Sequence, residues 1–265
     1  MSALTPILEY KRSEVAKLKA SRPISELETT AKDQPAPRGF ADALARVVDS
    51  GTNALICELK RKSPSAGEIL SGADPNKIAK EYEAGGAACL SILTDGPSFG
   101  GSLQDLQNIR ASVSMPLLRK DFMIDPLQII EARASGADAV LIIMAAVDDV
   151  LALELCSTAR AFGMDSLVEV HNEKELERGL QLPLNLLGIN NRDLTKMQTD
   201  LSVTERLAKL VPSEVNIVSE SGVKTPADIT RLKKIGVDRF LIGESLMLSN
   251  QRRDMVSALK NSGTD

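Results

Sequence analysis

Two charged residues end a hydrophobic stretch that begins near residue 54. Ile56, Glu58 and Lys60 are spaced two apart, so in a strand their side chains share one face. An acid and an ammonium on the face of a buried isoleucine are costly to bury unless they pair with each other or with a ligand. Two interpretations are open from this stretch. It is either a structural ion pair at a strand end or the floor of an active site, whose rim is the run Ser63–Gly67.

Charge and composition exclude several classes of function. The 265 residues carry a formal net charge of -4, which gives no basic footprint for nucleic acid. Tryptophan is absent and aromatic residues make up 3% of the chain, which argues against a base-stacking surface. The N-terminus lacks the apolar core of a signal peptide, and no run is long enough to span a membrane. We therefore expect a cytoplasmic protein with no membrane contact.

The cysteines and the histidine limit the possible cofactors. Cys57, Cys89 and Cys156 are scattered in apolar sequence, which is typical of reduced, buried thiols. His171 is the sole histidine, and the chain has no Cys-x-x-Cys pair. A zinc or haem site is therefore not expected.

Strand-like and helix-like patterns alternate after residue 53. Each helix-like stretch is amphipathic, and several open on a cap such as Asp125-Pro126 or Asn172. The strand-like runs start near Ala54, Ala88, Pro116, Ala139, Ser166, Leu186, Val215 and Arg239. About eight β-then-α units predict an α/β fold, a (β/α)8 TIM barrel over residues 51–265. A doubly wound open sheet has the same local pattern and stays an alternative at this point.

Residues 1–50 are predicted to be an N-terminal helical extension that packs on the barrel within a single domain. Thr5-Pro6 resembles a cap followed by proline at the first helical position, and an amphipathic helix is predicted to Ala20. The run 21–39 is predicted to be irregular and Phe40–Val48 a short helix. The basic residues of the first helix are expected on its solvated face, and these are Lys11, Arg12, Lys17 and Lys19.

The positions of the polar residues favour the barrel over the open sheet. In a barrel the C-terminal ends of many strands converge on one site. Seven of the predicted strands end in polar or charged residues, whereas the fourth, LIIMAA, is apolar. These ends are Glu58 with Lys60, Thr94-Asp95, Arg119–Phe122, Glu169, Asn190–Arg192, Ser219–Gly222 and Gly243–Ser245. The pattern predicts a central pocket.

The last two strand ends have the chemistry of a phosphate site. Ser221-Gly222 and Gly243-Glu244-Ser245 each lie between a predicted strand and a helix, where free backbone N–H groups can point at an anion. They could also be simple tight turns. A phosphate site after strands seven and eight is a recurrent barrel feature and favours the first interpretation.

The charged strand ends can support proton transfer. Lys60, Lys120, Glu58 and Glu169 are predicted to face one another, and such a set can polarise a carbonyl, hold a carboxylate and shuttle protons. A lysine Schiff base is the open alternative. His171 follows Glu169 closely, but it falls where the strand turns into the next helix, which disfavours a catalytic role.

The successive strand ends resemble those of the indole-3-glycerol phosphate synthase family of tryptophan biosynthesis. The runs are CELKRKSPSAG, SILTDGPSFGGS, LLRKDFMID, LVEVHNEKEL, LGINNRDL, SESGV and FLIGESLM, and ILEYKRSEVAKLKA resembles the family's extension ahead of the barrel. The resemblance implies a carboxy-lyase that closes the ring of 1-(2-carboxyphenylamino)-1-deoxyribulose 5-phosphate. Carbon dioxide and water are lost and indole-3-glycerol phosphate is formed. The resemblance implies neither an organic cofactor nor a metal.

The resemblance also implies roles for individual residues. Lys120 matches the general acid toward the substrate carbonyl, and Lys60 matches the contact to the substrate carboxylate that also assists dehydration. Glu169 would stabilise or deprotonate the ring-closed intermediate, and Glu58 would position Lys60 or act as a base. The other matches are Asn190 and Arg192 for the polyol and for orienting Glu169, Ser63 for the carboxylate, Phe99 and Phe122 for the apolar walls, and Ser221, Gly222, Gly243 and Ser245 for the phosphate.

Some features depart from the family or leave rivals open. Gly100 and Leu127 stand where bulkier residues are frequent, which bears on loop mobility and substrate affinity. The polar tail leaves no room for a second barrel, so a monofunctional protein is expected. We expect a monomer or weak homodimer that binds a small-molecule substrate. A phosphoribosylanthranilate isomerase would need an inward cysteine, whereas Cys57 is predicted to face outward. A Schiff-base aldolase is a second rival. A non-catalytic binding barrel is a third, and it would be expected to lack Lys120 or Glu169.

Overall fold

Eight parallel strands close into a barrel in the computed structural model, which describes residues 4–64, 67–70, 72–193 and 196–263. The strands are β1 (Ala54–Leu59), β4 (Cys89–Leu93), β5 (Leu117–Lys120), β6 (Ala139–Ile143), β7 (Asp165–Val170), β8 (Leu186–Asn190), β9 (Asn216–Glu220) and β10 (Arg239–Ile242). They follow one another around the barrel in chain order, and β10 pairs with β1. The predicted barrel is confirmed, and the open sheet is excluded.

A short hairpin of β2 (Lys62–Ser63) and β3 (Gly67–Glu68) follows β1. It carries the predicted rim of the pocket, of which Ser65 and Ala66 lie outside the described residues. Ser63 is buried.

Helices return the chain from each barrel strand to the next. They are α4 (Pro75–Gly85), α5 (Gly96–Phe99), α6 (Leu103–Ser112), α7 (Pro126–Ala134), α8 (Asp149–Ala161), α9 (Glu173–Gly179), α10 (Ser202–Leu207), α11 (Pro226–Lys233), α12 (Glu244–Leu248) and α13 (Arg252–Lys260), and a 3-10 turn spans Ala208–Leu210. Asp125 and Asn172 accept first-turn N–H groups, as their predicted role as caps requires. Within the described ranges, no helix is long and apolar enough to cross a membrane.

The barrel interior is closed at the N-terminal end of the strands. Inward-facing Ile56 and Leu118 pack in one cluster with Phe40 and Leu44 of α3 (Phe40–Asp49), a helix that the sequence predicted. Cys57 points the other way, into the layer between strands and helices, as expected. A ligand must therefore approach from the C-terminal end of the strands.

One segment that was expected to be irregular is helical, and the polar tail contains a helix that was not predicted. The run 21–39 contains α2 (Ile24–Asp33), which buries Leu27 and Ala31 against α7, where Leu127 lies in the same cluster. The polar tail contains α13, which buries Val256 and Leu259. Each helix has only two buried apolar residues, at a spacing of four or three, and its polar composition concealed this short apolar face.

The first helix, α1 (Leu4–Ser21), was predicted correctly as a helix, but the interpretation of its polar residues was partly wrong. Thr5 lies inside the helix and is therefore not its cap. Arg12, Lys17 and Lys19 are exposed as expected. Lys11 is not, because its side chain is only 2% exposed.

Lys11 bridges α1 to the ends of two barrel strands. Its Nζ lies 2.7 Å from Asp121 Oδ1 after β5 and 3.0 Å from Asp95 Oδ2 after β4, and Glu14 Oε2 is 2.7 Å away. Burial by itself lowers the pKa of Lys11, but the charge and hydrogen bond of Asp121, the hydrogen bond of Glu14 and the charge of Asp95 raise it above its ordinary value. The ammonium stays charged and holds α1 over the open end of the barrel.

Lys11→Met is expected to destabilise the fold by about 3–5 kcal/mol, because it leaves buried Asp95 and Asp121 without their shared cation. Urea unfolding followed by circular dichroism measures the loss. Lys17→Met, at an exposed position of the same helix, serves as control and should stay within about 0.5 kcal/mol of the wild type. Equal stability of the two variants would contradict a stabilising role for the buried lysine.

Candidate active site

An apolar pocket, here called the aromatic slot, lies at the open end of the barrel. The rings of Phe99 and Phe122 are 6.1 Å apart between centroids, at an interplanar angle of 37°. Leu4 and Ile7 of α1 line the same pocket. The family resemblance had implied that the two phenylalanines form these walls. The contribution of α1 was not predicted, because helical periodicity does not tell which neighbour an apolar face covers.

A cluster of charged groups forms the floor of this pocket. Lys120 Nζ lies 2.7 Å from Glu220 Oε2, 3.5 Å from Glu169 Oε2 and 4.0 Å from Glu58 Oε2. Lys60 Nζ is 2.7 Å from Glu58 Oε1. The structural ion pair and the pocket floor that were alternatives for Glu58 and Lys60 are thus the same arrangement.

Glu220 is the member of the cluster that the sequence analysis did not select. It ends β9, is fully buried and makes the shortest contact to Lys120. Its position was visible in the run Ser219–Gly222, but that run was interpreted through its serine and glycine. The strand alternation that places Glu58 and Lys60 inward also applies to β9 and could have identified Glu220.

The charges of the cluster do not balance when every group is ionised. Three carboxylates face two ammonium groups, and burial favours the neutral form of an acid. Burial, opposed by Lys120 and reinforced by Glu169, raises the pKa of Glu220 to about 7. Burial alone would raise the pKa of Glu58, but Lys60 and Lys120 lower it. The site therefore favours a proton on Glu220 far more than water does, and it favours the ionised form of Glu58.

Two glycines make room for the buried carboxylates. A Cβ atom at Gly188 would collide with Glu220 Oε1, and one at Gly243 would collide with Glu58 Oε1. Gly243, which the family resemblance assigned to phosphate, thus has a second physical reason to lack a side chain.

The end of β8 connects the charged floor to the rest of the site. Asn190 and Arg192 both line the pocket, and Asn190 Oδ1 accepts a hydrogen bond of 3.0 Å from Arg192 N. Asn191, which the sequence analysis did not single out, donates to the backbone oxygens of Glu220 and Ser221 at 3.0 Å. It thereby fixes the end of β9 relative to that of β8.

The single histidine lies beside the cluster. His171 follows β7, and its Nε2 is 3.3 Å from Glu169 Oε1, while its Nδ1 is 2.9 Å from Glu175 Oε2. The expectation that it begins the turn after the strand is confirmed, but this turn brings it into contact with Glu169.

A second, more polar pocket adjoins the first. Ser221, Gly222, Gly243 and Ser245 line it together, as predicted for an anion site, and Lys224 adds a cation. Ser221 has φ 64° and Gly222 φ 88°, so two consecutive residues are left-handed. A left-handed serine is strained by about 1–2 kcal/mol, which is typical of functional turns. Arg192 and Lys60 border both pockets.

The fold and the site together define a (β/α)8-barrel enzyme whose pocket combines an aromatic slot, a buried lysine–carboxylate cluster and a left-handed turn at Ser221-Gly222, the candidate anion-binding turn. Within the described ranges, no group of three or more His, Cys, Asp or Glu side chains is arranged to hold a metal ion.

Comparison with known proteins identifies the family. The model of the indole-3-glycerol phosphate synthase family matches residues 4–259. The indole-3-glycerol phosphate synthase of Hyphomonas neptunium is 59% identical over 260 residues, 98% of each chain. Those of Rhodospirillum rubrum and Azospirillum brasilense are 51% identical over 97% of this chain and 98% of theirs, and 49% over 96% of each. The chain belongs to the indole-3-glycerol phosphate synthase family.

The raised pKa of Glu220 predicts a pH-dependent stability. The folded protein holds a proton on Glu220 up to a pH of about 7, whereas the unfolded chain releases it near the ordinary value of 4.5. The folded state therefore binds more protons in this window, and its free energy of unfolding falls as the pH rises from about 5 to 8. In Glu220→Gln this fall should be smaller, as measured by urea unfolding across the range. Glu177→Gln, at an exposed position, should keep the wild-type slope, and the same slope in Glu220→Gln would contradict the assignment.

Proposed function

We propose that this protein catalyses the reaction for which its family is named. It closes the ring of 1-(2-carboxyphenylamino)-1-deoxyribulose 5-phosphate, with loss of carbon dioxide and water, to give indole-3-glycerol phosphate. The observation that supports this most is the continuity of the pockets, since Lys60 and Arg192 border both the aromatic slot and the anion-binding turn. A substrate that joins an aromatic acid to a sugar phosphate needs both.

The substrate is held by three kinds of contact. Phe99 and Phe122 enclose the aromatic ring, and Ser221, Gly222, Gly243 and Ser245 hold the phosphate through backbone N–H and hydroxyl groups. Lys60 and Ser63 receive the carboxylate, and Asn190 and Arg192 receive the polyol. These contacts place the aromatic carbon against the ketone carbonyl over the charged floor.

Lys120 drives ring closure. Burial lowers the pKa of its ammonium group, but Glu220, Glu169 and Glu58 raise it well above the ordinary value, so Lys120 enters the reaction protonated. As the aromatic carbon bonds to the carbonyl carbon, the proton moves from Nζ to the carbonyl oxygen. When Glu220 carries a proton, its charge no longer contributes to this increase, and the ammonium group of Lys120 is then a stronger acid. The cationic ring nitrogen then accepts the electron pair of the breaking bond to the carboxylate, and carbon dioxide leaves.

Lys60 and Glu169 complete the reaction by removing water. Lys60 protonates the departing hydroxyl group, while Glu169 removes the proton from the carbon next to the ring nitrogen, and the indole double bond forms. Glu58, 2.7 Å from Lys60, positions this lysine. The two lysines donate two protons and Glu169 accepts one. When the carboxyl group of the substrate is ionised, each turnover therefore takes up one proton from solvent.

The cellular location, the partners and the oligomeric state are part of the same proposal. The three cysteines are buried free thiols, which fits a reducing cytoplasm. We assign a small-molecule substrate, no cofactor, no nucleic-acid or membrane partner, and a monomer or weak homodimer.

The activity is tested by mixing the purified protein with 1-(2-carboxyphenylamino)-1-deoxyribulose 5-phosphate and recording indole fluorescence. The chain contains no tryptophan, so the background is low. A saturable rise that survives a chelator is expected. Tight, phosphate-competitive binding of the compound without any indole would instead identify a binding barrel.

Lys120→Met is expected to lower turnover by at least about 100-fold, because the carbonyl oxygen loses its proton donor. Binding of a substrate analogue, measured by calorimetry, should change far less. Lys62→Met, on the nearby hairpin, is a control that should retain activity. Wild-type turnover in Lys120→Met would remove Lys120 from the mechanism.

A further inference from the structure

His171 lies between a carboxylate of the pocket floor and a second carboxylate outside it. Glu169 presents Oε2 to Lys120 at 3.5 Å and Oε1 to His171 Nε2 at 3.3 Å. On the other side of the ring, Nδ1 is 2.9 Å from Glu175 Oε2. Nε2 makes no well-aligned hydrogen bond with the described residues, so it faces Glu169 with its bonding capacity unused.

This chain of groups leads from the pocket into an open groove. His171 and Glu175 line the groove, together with Asn172 and Arg206, and neither His171 nor Glu175 lines the aromatic slot. The imidazole side chain is 10% exposed. The ring therefore separates a buried carboxylate from a solvent-accessible surface and contacts both sides.

The far carboxylate, that of Glu175, is held in place by the two residues that precede its helix. His171 N donates to Glu175 Oε2 at 2.9 Å, and Asn172 Nδ2 donates to Glu175 Oε1 at 2.7 Å. Asn172 also accepts from Glu175 N as the cap of α9. The acceptor for Nδ1 is thus fixed before any proton arrives.

We propose that His171 is a proton relay that restores Glu169 to its carboxylate form after each turnover. The inference rests on the proposed function, in which Glu169 takes a proton from the substrate. The O–H bond at Glu169 Oε1 breaks as an N–H bond forms at His171 Nε2. The Nδ1–H bond then breaks, and the proton passes to Glu175 Oε2 and on to solvent in the groove. One proton enters the ring at Nε2 and one leaves at Nδ1, which leaves the remaining proton on Nε2. Proton exchange with water in the groove returns the ring to its Nδ1–H form before the next turnover, and no other reactant is needed.

The surroundings stabilise the cationic ring that forms in transit. Burial lowers the pKa of His171, but the hydrogen bond with Glu175 and the charges of Glu169, Glu175 and Glu220 outweigh burial and raise it. The site therefore stabilises the imidazolium form while the proton is in transit, as a relay requires.

Comparison of single-turnover with steady-state rates tests the relay. In His171→Gln, indole formation with enzyme in excess over substrate should stay within about twofold of the wild type, because the first turnover starts from ionised Glu169. Steady-state kcat should fall by about tenfold or more, because each later turnover waits for Glu169 to lose its proton. A wild-type kcat, or an equal loss in both regimes, would overturn the relay.

Chemical rescue separates proton transfer from a structural role. In His171→Ala, imidazole should restore steady-state kcat, whereas pyrazole, of the same size but a far weaker base, should not. Glu175→Gln keeps a hydrogen-bonding oxygen but is a poor proton acceptor, so its kcat should fall without rescue by imidazole. Absence of rescue in His171→Ala would overturn the proposal.

The variant Glu169→Gln separates the test of the relay from the test of the proposed function. It should lose the single turnover as well as the steady-state rate. An unchanged single turnover in Glu169→Gln would remove Glu169 as the base, whatever the His171 variants show.

Discussion

The burial of Lys120 among three carboxylates is the constraint on which the rest of the structure depends. Each ion costs several kcal/mol to remove from water, and good geometry must offset that cost. The four groups come from the ends of four strands, β1, β5, β7 and β9. A closed barrel brings these ends to one point, and Gly188 and Gly243 leave the space that the side chains need.

A second buried lysine determines how the site is covered. Lys11 ties α1 to Asp95 and Asp121, which follow the strands β4 and β5. Asp95 also caps α5, the helix that carries Phe99, and Asp121 accepts a hydrogen bond from Phe122 N. One ammonium group thus links the helix over the pocket to both aromatic walls. The N-terminal extension is in this sense part of the site.

Much of the fold could be predicted because it depends on patterns of neighbouring residues in the sequence. The apolar runs gave all eight barrel strands to within one residue of their starts, and Asp125 and Asn172 cap the helices as their types predict. The polar strand ends predicted that Glu58, Lys60, Lys120 and Glu169 would meet, and they do. Their catalytic roles remain predictions.

What could not be predicted depends on partners distant in sequence. A lysine on an amphipathic helix is usually solvated, and only Asp95 and Asp121, more than 80 residues away, make Lys11 a buried residue. The link between His171 and Glu169 needs the actual turn after β7, because their spacing of two does not fix a contact once the strand has ended. The helices α2 and α13 have too few apolar residues for periodicity to reveal them.

The claim that the charge on Lys120 carries the reaction can be tested directly. Lys120→Cys should be inactive, and alkylation of the introduced thiol with 2-bromoethylamine would restore an ammonium group at nearly the same distance from the backbone. Cys57, Cys89 and Cys156 are buried, which favours reaction at the new position. We expect indole formation to return with the aminoethyl adduct and not with a neutral S-methyl adduct. Activity in the unmodified variant, or equal recovery with the neutral adduct, would contradict the account.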